Sequence, residues 1–239
     1  MRILGLDTSG KTASVAIMDT EKQVLLGEHT VYTNRTHSQV IMPMCKNLLN
    51  DCNLTLKEID CLAVAVGPGS YTGLRIGIAA VQGMAMVNNT PCVGVSTLEA
   101  LAARYDTFAY TLAIMHARAD LFYYEIYRHS HSRCESQISD LLSIDQLAST
   151  EEIAERLSHY HDDEIVLVGD GVNEFLTQYY HNCDVKHIKF QHAPYNLRLQ
   201  QSAAGVCQCA SRRRLLGTAA DLTASYLQAV QIQKKKTDK

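Results

Sequence analysis

The stretch CLAVAVGPGSYTGLRIG, residues 61–77, decides how this chain folds. Its first six residues are apolar without alternation, which is typical of a strand that is covered on both faces of a sheet. The glycine-rich segment Gly67–Gly73 then leads into a segment of helical periodicity that continues to about Val87. A buried strand followed directly by a helix predicts a crossover unit, and therefore a partly parallel sheet with helices packed outside it.

The residues before this crossover alternate between β-rich runs and short turns, which predicts an antiparallel meander. The predicted strands of the first half are Ile3–Asp7, Thr12–Met18, Val24–Tyr32, Cys61–Val66 and Cys92–Val95. One helix follows Thr36, one follows the glycine-rich segment, and a third begins at the capping box Ser96-x-x-Glu99. The resulting order β-β-β-α-β-α-β-α predicts a mixed sheet flanked by helices.

The second half carries weaker signals of the same kind, which hint at an ancient duplication. The predicted strands are Phe108–His116, Leu121–Tyr127, Ile165–Val168 and Val185–Phe190, and the predicted helices are Ile153–Tyr160 and Gln200–Leu216. The polar segment His129–Ser149 is predicted to be irregular. We expect the boundary between the two halves near Tyr105–Phe108.

Composition narrows the classes of function. The 239 residues are 46% apolar and 20% charged, as in ordinary globular proteins, and the net charge is −3. A negative chain lacks the basic surface that a protein needs to grip nucleic acid alone. Asp7 interrupts the place where a signal peptide would be apolar, and no later stretch is long enough to span a membrane. We therefore expect a soluble cytoplasmic protein whose eight scattered cysteines are reduced.

The glycine-rich loop has two interpretations. Its distinctive residues are Gly67, Pro68, Gly69, Gly73 and Gly77. A turn from a strand into a helix exposes backbone N–H groups that can attract a phosphate. However, the loop lacks the Walker lysine, and it is one residue too long for the dinucleotide-binding spacing. The alternative is a tight turn that lets the helix pack closely on the sheet.

Two further turns could carry chemistry. Asp7, Thr8 and Ser9 follow the first strand, and Gly169, Asp170 and Gly171 follow a later one. In a two-lobed ATPase such turns could bind phosphate, whereas an isolated polar triplet is more often a simple turn. The ten histidines include no pair at i, i+4, and the cysteines form no C-x-x-C motif, so no metal site is predicted.

Together these motifs resemble TsaB, also called YeaZ, a family of bacterial tRNA threonylcarbamoyladenosine biosynthesis proteins. The resembling stretches are ILGLDTS and ASVAI near the start, His37-Ser38, AVGPGSYTGLRIGIAAVQGMA, GVSTLEALA (Gly94–Ala102), ARADLFYYEIY (Ala117–Tyr127), VGDG (Val168–Gly171) and SYLQAV (Ser225–Val230). The resemblance covers nearly the whole chain. His116 and Gln228 depart from it, since the family usually has Asp and Arg there, so the roles of these two positions stay open.

The resemblance implies an α/β, actin/hexokinase-like (ASKHA) fold of two lobes, with mixed sheets flanked by helices. The first lobe is expected at residues 1–106 and the smaller second lobe at 107–197. A C-terminal segment at about 198–230 is expected to return to the first lobe.

The resemblance also implies a function. The chain is expected to be a non-catalytic subunit of the complex that places threonylcarbamoyl on adenosine 37 of tRNA. Its implied partners are the catalytic paralogue TsaD, the ATPase TsaE in a larger complex, and a second copy of itself when it is alone. tRNA is expected to be contacted only through the complex, and the isolated chain to require no cofactor. Whether ATP or ADP binds at the interface of the complex stays open.

The first two helices are expected to form the partner interface, packed as a bundle. The resemblance places Val40, Ile41, Met44 and Leu48 of the first helix and Leu74, Ile78 and Val81 of the second in that interface, which requires that these faces remain uncovered by the folded monomer. The second stripe could instead be buried on the protein's own sheet, and a helix of another chain could then use the glycine face of Gly73, Gly77 and Gly83. No residue is expected to be catalytic.

Two alternatives belong to other classes of protein. One is a stand-alone ATPase or kinase of the same fold, with Asp7, Thr8 and Ser9 on one phosphate and Gly169–Gly171 on the other side. The other is a metallopeptidase, which would require a stoichiometric metal ion.

Overall fold

Two five-stranded sheets form the centre of the molecule. They are seen in a computed structural model that describes residues 1–32, 36–105, 107–129, 146–160, 164–182, 188–192, 200–214 and 216–226. The first half of the chain consists of β1 (Arg2–Asp7), β2 (Thr12–Asp19), β3 (Val24–Tyr32), α1 (His37–Asp51), β4 (Cys61–Gly67), α2 (Tyr71–Asn88), β5 (Cys92–Ser96) and α3 (Thr97–Ala103).

The second half repeats this order of elements. It consists of β6 (Tyr110–Arg118), β7 (Leu121–Arg128), β8 (Gln146–Ser149), α4 (Thr150–Leu157), β9 (Glu164–Val168), α5 (Val172–Asn182), β10 (Lys189–His192) and α6 (Ala203–Ser211). The strand orders are β3-β2-β1-β4-β5 and β8-β7-β6-β9-β10, and corresponding strands run in the same relative directions. The molecule is therefore a duplicated β-β-β-α-β-α-β-α unit, as the sequence hinted.

Each sheet carries two helices of its own half on one face. Helices α1 and α2 cover the first sheet, and their apolar stripes meet Leu4, Leu6 and Val64 from its strands. Helices α4 and α5 cover the second sheet around Phe122 and Phe175. The 3.6-residue periodicity that predicts these helices thus faces inward, because each sheet needs one apolar layer to exclude water.

The other face of each sheet is covered by a helix from the opposite half. Helix α6 brings Val206 and Cys207 onto the first sheet, and α3 brings Leu98 and Leu101 onto the second. The two exchanged helices also contact each other, so closely that a Cβ atom at Gly205 would overlap the carbonyl oxygen of Ala100. This contact joins the two halves through packed backbone rather than through a linker.

Three local expectations differ from the structure. The segment Gln146–Ser149, expected to be irregular, is strand β8, because pairing with β7 specifies four residues that are too few to show a period. Helix α6 spans Ala203–Ser211 and not Gln200–Leu216, since Gln201 and Ser202 are buried in polar contacts before the helix starts. Strand β10 starts at Lys189, and the first three residues of the predicted Val185–Phe190 strand lie outside the described residues.

The helices give no sign of a membrane-spanning segment. Within the described part of the chain, none is both long enough and apolar enough to cross a bilayer.

The contact at Gly205 predicts a large effect of one methyl group. Gly205→Ala should lower the free energy of unfolding by about 2 kcal/mol or more, because the added carbon meets rigid backbone. Gly83→Ala is the matched control, since a Cβ atom there meets nothing within 4 Å and should stabilise the helix by about 0.5–1 kcal/mol. Urea denaturation of both variants measures the difference, and equal stabilities would contradict the proposed packing.

Candidate functional site

The end of β1 and the glycine-rich loop form one hydrogen-bonded unit. The Thr8 hydroxyl donates to the Gly73 carbonyl at 2.7 Å, and the Ser70 amide donates to the Ser9 carbonyl at 2.7 Å. The Ser9 hydroxyl and amide both donate to Asp7 Oδ1, at 2.6 and 2.9 Å. The side chains of Asp7, Thr8 and Ser9 are all buried. Both hydroxyls that could meet a phosphate therefore already serve the protein itself.

The glycines of the loop give room to this unit. Added Cβ atoms at Gly69 and Gly73 would overlap the backbone of Ser9 and Thr8, and one at Gly77 would overlap the Thr8 hydroxyl. Gly67 has φ +127° and lies against the carbonyl oxygen of Ser225, and the Gly67–Pro68 peptide bond is cis. Of the two interpretations of the loop, this geometry favours a tight turn with close helix–sheet packing over a phosphate cradle.

The second predicted turn lies across the junction of the two halves. The side-chain amide of Gln201 donates to Asp170 Oδ2 at 3.1 Å and packs flat against Gly10. The Thr12 hydroxyl donates to the Gln201 carbonyl at 3.1 Å, and Gln201 is only 1% exposed. A protein amide thus lies between the two turns that could have held a phosphate. Sequence analysis missed Gln201 because nothing around it marks a motif.

Asp7 is the most perturbed carboxyl group at this junction. Burial raises its pKa to about 6, and the nearby carboxylates of Asp170 and Glu28 add to the rise, although the Ser9 hydrogen bonds oppose it. Its Oδ2 atom has no hydrogen-bond partner among the residues that the structure describes. The pKa of Asp170 is also raised, mainly by burial, despite its bond from Gln201. The junction therefore holds two carboxyl groups whose ionised forms are disfavoured by burial.

The raised pKa of Asp7 predicts that Asp7→Asn increases the free energy of unfolding by an amount that depends on pH. The folded protein binds a proton at Asp7 with a pKa near 6, whereas the unfolded chain binds it near 3.8, so wild-type stability falls as the pH rises between these values. The neutral amide should stabilise the protein by about 1–3 kcal/mol at pH 7.5, and the gain should vanish near pH 4.

Urea denaturation at the two pH values measures this gain. Asp221→Asn is the control, and its effect on stability should have the opposite sign. Hydrogen bonds from the Thr218 amide and hydroxyl lower the pKa of Asp221, so removing this carboxylate should destabilise the protein at pH 7.5. A loss of stability in Asp7→Asn at pH 7.5 would show that the ionised carboxylate is the favoured form.

The cysteines do not assemble into a reactive or metal-binding centre in the described residues. No group of three or more Cys, His, Asp or Glu side chains there is arranged to hold a metal ion. Burial raises the pKa of the Cys45 and Cys61 thiols to about 12, which keeps them protonated at neutral pH.

The structure places the residues that were expected at the partner interface inside the folded monomer. The side chains of Ile41, Met44, Leu48, Ile78 and Val81 are buried in the core between α1, α2 and the first sheet, and Val40 is half-buried against it. Leu74 is fully buried as well, next to Gly67. The expectation that these apolar stripes remain uncovered by the folded monomer is therefore wrong. An apolar stripe marks the face that must be covered, and here the chain's own sheet covers it.

The surface that α2 leaves exposed has a different composition. Along it lie Arg75, Ala79 and Gly83, one turn apart, and the helix ends in Met86 and Val87, which are 79% and 63% exposed. A Cβ atom at Gly83 would meet nothing within 4 Å, unlike the glycines at the start of the helix. The monomer therefore gives no packing reason for a glycine at this position.

Two apolar grooves flank the C-terminal half of α2. A groove of about 570 Å³ separates Ala85 and Met86 from the C-terminal residues Leu216–Ala220. A smaller groove of about 290 Å³ lies toward α1, between Met42 and Met84. A ridge of small residues between two grooves is a surface onto which another helix can pack closely.

The N-terminal end of α2 carries an exposed aromatic cluster. The Arg75 guanidinium lies 4.0 Å from the centre of the Tyr71 ring, and its Nε donates to the Tyr226 hydroxyl at 3.0 Å. The two rings are 4.8 Å apart and each tyrosine is 40% exposed. The cluster joins the specific sequence motif GPGSYTGLRIG to the C-terminal motif, a contact that no spacing in the sequence could reveal.

The two departures from the family pattern fall in different places. The His116 imidazole donates from Nε2 to the Ala119 carbonyl at 3.0 Å, within the β6–β7 turn. It therefore has a local structural contact. Gln228 lies outside the described residues.

The duplicated sheets, the exchanged helices and the junction between them define a two-lobed α/β protein of actin/hexokinase-like fold. Its family model match is described as TsaD, tRNA N6-adenosine threonylcarbamoyltransferase, over residues 27–161. The tRNA threonylcarbamoyladenosine biosynthesis protein TsaB of Escherichia coli K12 is 34% identical, over 72% of each chain. The protein of the same name from Bacillus subtilis 168 is also 34% identical, over 59% of this chain and 61% of its own length.

A solved structure agrees with this relationship. YeaZ from Pseudomonas aeruginosa superposes with a TM-score of 0.76 at 25% identity, covering 95% of this chain and 99% of that one. The chain belongs to the TsaB (YeaZ) family.

Proposed function

We propose that this chain is a non-catalytic subunit of the complex that makes N6-threonylcarbamoyladenosine at position 37 of tRNA, and that it acts by binding and stabilising the catalytic paralogue TsaD. Two relatives at 34% identity carry the name of a protein of this biosynthesis. The family model that matches residues 27–161 is that of the transferase. A paralogous pair with the same lobes can pair through equivalent helices.

The observation that carries the proposal is the exposed ridge of α2. Gly83 costs the helix about 0.5–1 kcal/mol relative to alanine, and no atom of the described residues lies within 4 Å of the position that a Cβ atom would take there. A partner helix that crosses α2 at Ala79 and Gly83 would use that space and would cover Met86 and Val87. The grooves on either side would receive the ridges of side chains from the partner.

The polar groups at the lobe junction support a non-catalytic role. The hydroxyls of Thr8 and Ser9 are bonded within the chain, and the Gln201 amide lies against Gly10 and Asp170. A nucleotide phosphate between these turns would have to displace all of these contacts. The further parts of the proposal are TsaE in a larger complex, tRNA contact through the complex only, a homodimer when TsaD is absent, and a cytoplasmic location.

The stand-alone ATPase is the rival, and calorimetry with magnesium and ATP separates the two. We expect no micromolar binding by the isolated chain, because the junction is filled by its own side chains. Micromolar binding that is lost in Asp7→Ala would favour the rival. A nucleotide at the interface with TsaD would instead appear as binding by the mixed proteins and not by this chain alone.

Enlarging Gly83 tests the proposed interface. Gly83→Leu should weaken binding to TsaD by about tenfold or more, because the side chain fills the crossing point, while the monomer remains folded. Gly83→Ala should weaken binding less, although it makes the isolated monomer more stable. Affinities from calorimetry and modified nucleoside formed by the reconstituted complex measure the effect.

Thr177→Leu is the matched control for this experiment. It places the same side chain on the exposed face of α5, the counterpart of α2 in the second lobe, and should leave TsaD binding unchanged. The proposed interface is wrong if Gly83→Leu and Thr177→Leu bind TsaD equally well. Variants such as Leu74→Glu or Ile78→Glu cannot make this distinction, since both side chains belong to the core.

A further inference from the structure

The exposed surfaces of α1 and α2 in two copies of this chain would not complement each other in charge. Helix α2 contains no acidic residue in its 18 residues, and its one charged side chain is Arg75. Helix α1 contributes Lys46 and a single acid, Asp51, at its last position. Asp51 Oδ2 lies 3.1 Å from His29 Nε2, so that carboxylate already has a partner within its own chain.

Arg75 is held in place, but no carboxylate of the described residues pairs with it. The i, i+4 spacing stacks its guanidinium on Tyr71, and the Tyr226 hydroxyl accepts a hydrogen bond from Nε, so two contacts fix its orientation. Among the described residues no carboxylate lies within 4.0 Å of its nitrogens. Its Nη groups are the two-pronged side of the guanidinium that suits a carboxylate. Its rotational freedom is therefore restricted before any partner binds.

We infer that the Tyr71–Arg75–Tyr226 cluster is the specificity anchor of the α2 surface, and that it receives a carboxylate from a helix of a different protein chain. This inference rests on the proposed function and adds the chemistry of the partner to it. Tyrosine and arginine are the residue types in which interface binding energy concentrates. The net charge of −3 and the solitary position of Arg75 favour a protein carboxylate over an RNA backbone, which requires several cations.

Geometry places the partner's acid with respect to the crossing point. Arg75 precedes Gly83 by eight residues, or roughly 12 Å along the helix axis. A partner helix that crosses at Ala79 and Gly83 must therefore carry its Asp or Glu about two turns from the crossing. The Lys, Arg, Asp and Glu residues on α1 and α2 of a second copy are Lys46, Arg75 and Asp51, and Asp51 already contacts His29. The same surface thus favours a heterodimer over a homodimer.

Substitutions at Arg75 test the anchor, with the chain and TsaD both purified. Arg75→Gln should weaken the heterodimer by about tenfold and flatten the dependence of its affinity on salt, while Arg75→Lys should retain the salt dependence but lose part of the affinity. The homodimer, measured by analytical ultracentrifugation, should be unchanged or tighter in Arg75→Gln. Thermal denaturation should show that every variant remains folded, since the side chain is exposed and only its contacts with Tyr71 and Tyr226 are lost.

A charge exchange identifies the partner residue. Arg75→Glu should abolish binding at micromolar concentration, and one Glu→Lys or Asp→Lys substitution on a surface helix of TsaD should restore it. Restoration by such an exchange supports the anchor. Failure of every acidic position on those helices to restore binding overturns it.

Three other outcomes separate the two proposals. If Gly83→Leu abolishes TsaD binding but Arg75→Gln retains wild-type affinity and salt dependence, the anchor is wrong and the proposed function stands. If the wild-type chain does not bind TsaD at all, both are wrong. If Arg75→Gln lowers only the affinity of the assembled complex for tRNA, the cluster binds RNA phosphate and the inference of a protein carboxylate is overturned.

Discussion

The close contact between α3 and α6 is the constraint on which the rest of the structure depends. Each helix follows the last strand of its own half and covers the sheet of the other half. Their backbones meet where Gly205 lies against the Ala100 carbonyl, and Gly5 on β1 similarly gives room to Cys207. Because these contacts are between rigid backbone segments, the two sheets are held at one relative position, and the ends of β1 and β9 are brought toward each other.

That fixed position has a chemical consequence at the lobe junction. In a two-lobed fold the turns at the ends of the central strands are the natural place for a ligand, since the crevice outside the strands opens there. Here Gln201, Ser9 and Thr8 use the polar groups of those turns within the chain. Asp7 is left buried, and one of its oxygens has no partner in the described part of the chain, at a cost in stability that the fold tolerates. The binding role that we propose therefore rests on a different surface, the exposed face of α2.

Sequence reasoning predicted the elements that follow from local patterns, but it did not predict what covers the apolar face of each helix. The strands around CLAVAV and the helices after Thr36 and Ser70 follow from periodicity, capping and glycine placement, so their bounds agree closely with the structure. The stripe through Leu74, Ile78 and Val81 was equally visible, but periodicity does not say whether a sheet or a partner covers it. The structure assigns it to the core. The exposed ridge with Ala79 and Gly83 carries no apolar pattern. In the sequence, Gly83 indicates only that another backbone could approach closely, and it does not say whether that backbone belongs to the same chain.

The sequence by itself determined the repeated order of strands and helices, the glycine-rich turn and the family motifs, because these depend on neighbours within a few residues. Only the tertiary structure decided that Thr8 fills the space beside Gly73 and Gly77, that Gln201 lies between Gly10 and Asp170, and that Tyr226 joins Arg75. The hydrogen-bonded residues of these contacts lie between 31 and 151 positions apart in the sequence. Such contacts follow from how two sheets and two exchanged helices pack, and no local spacing encodes them.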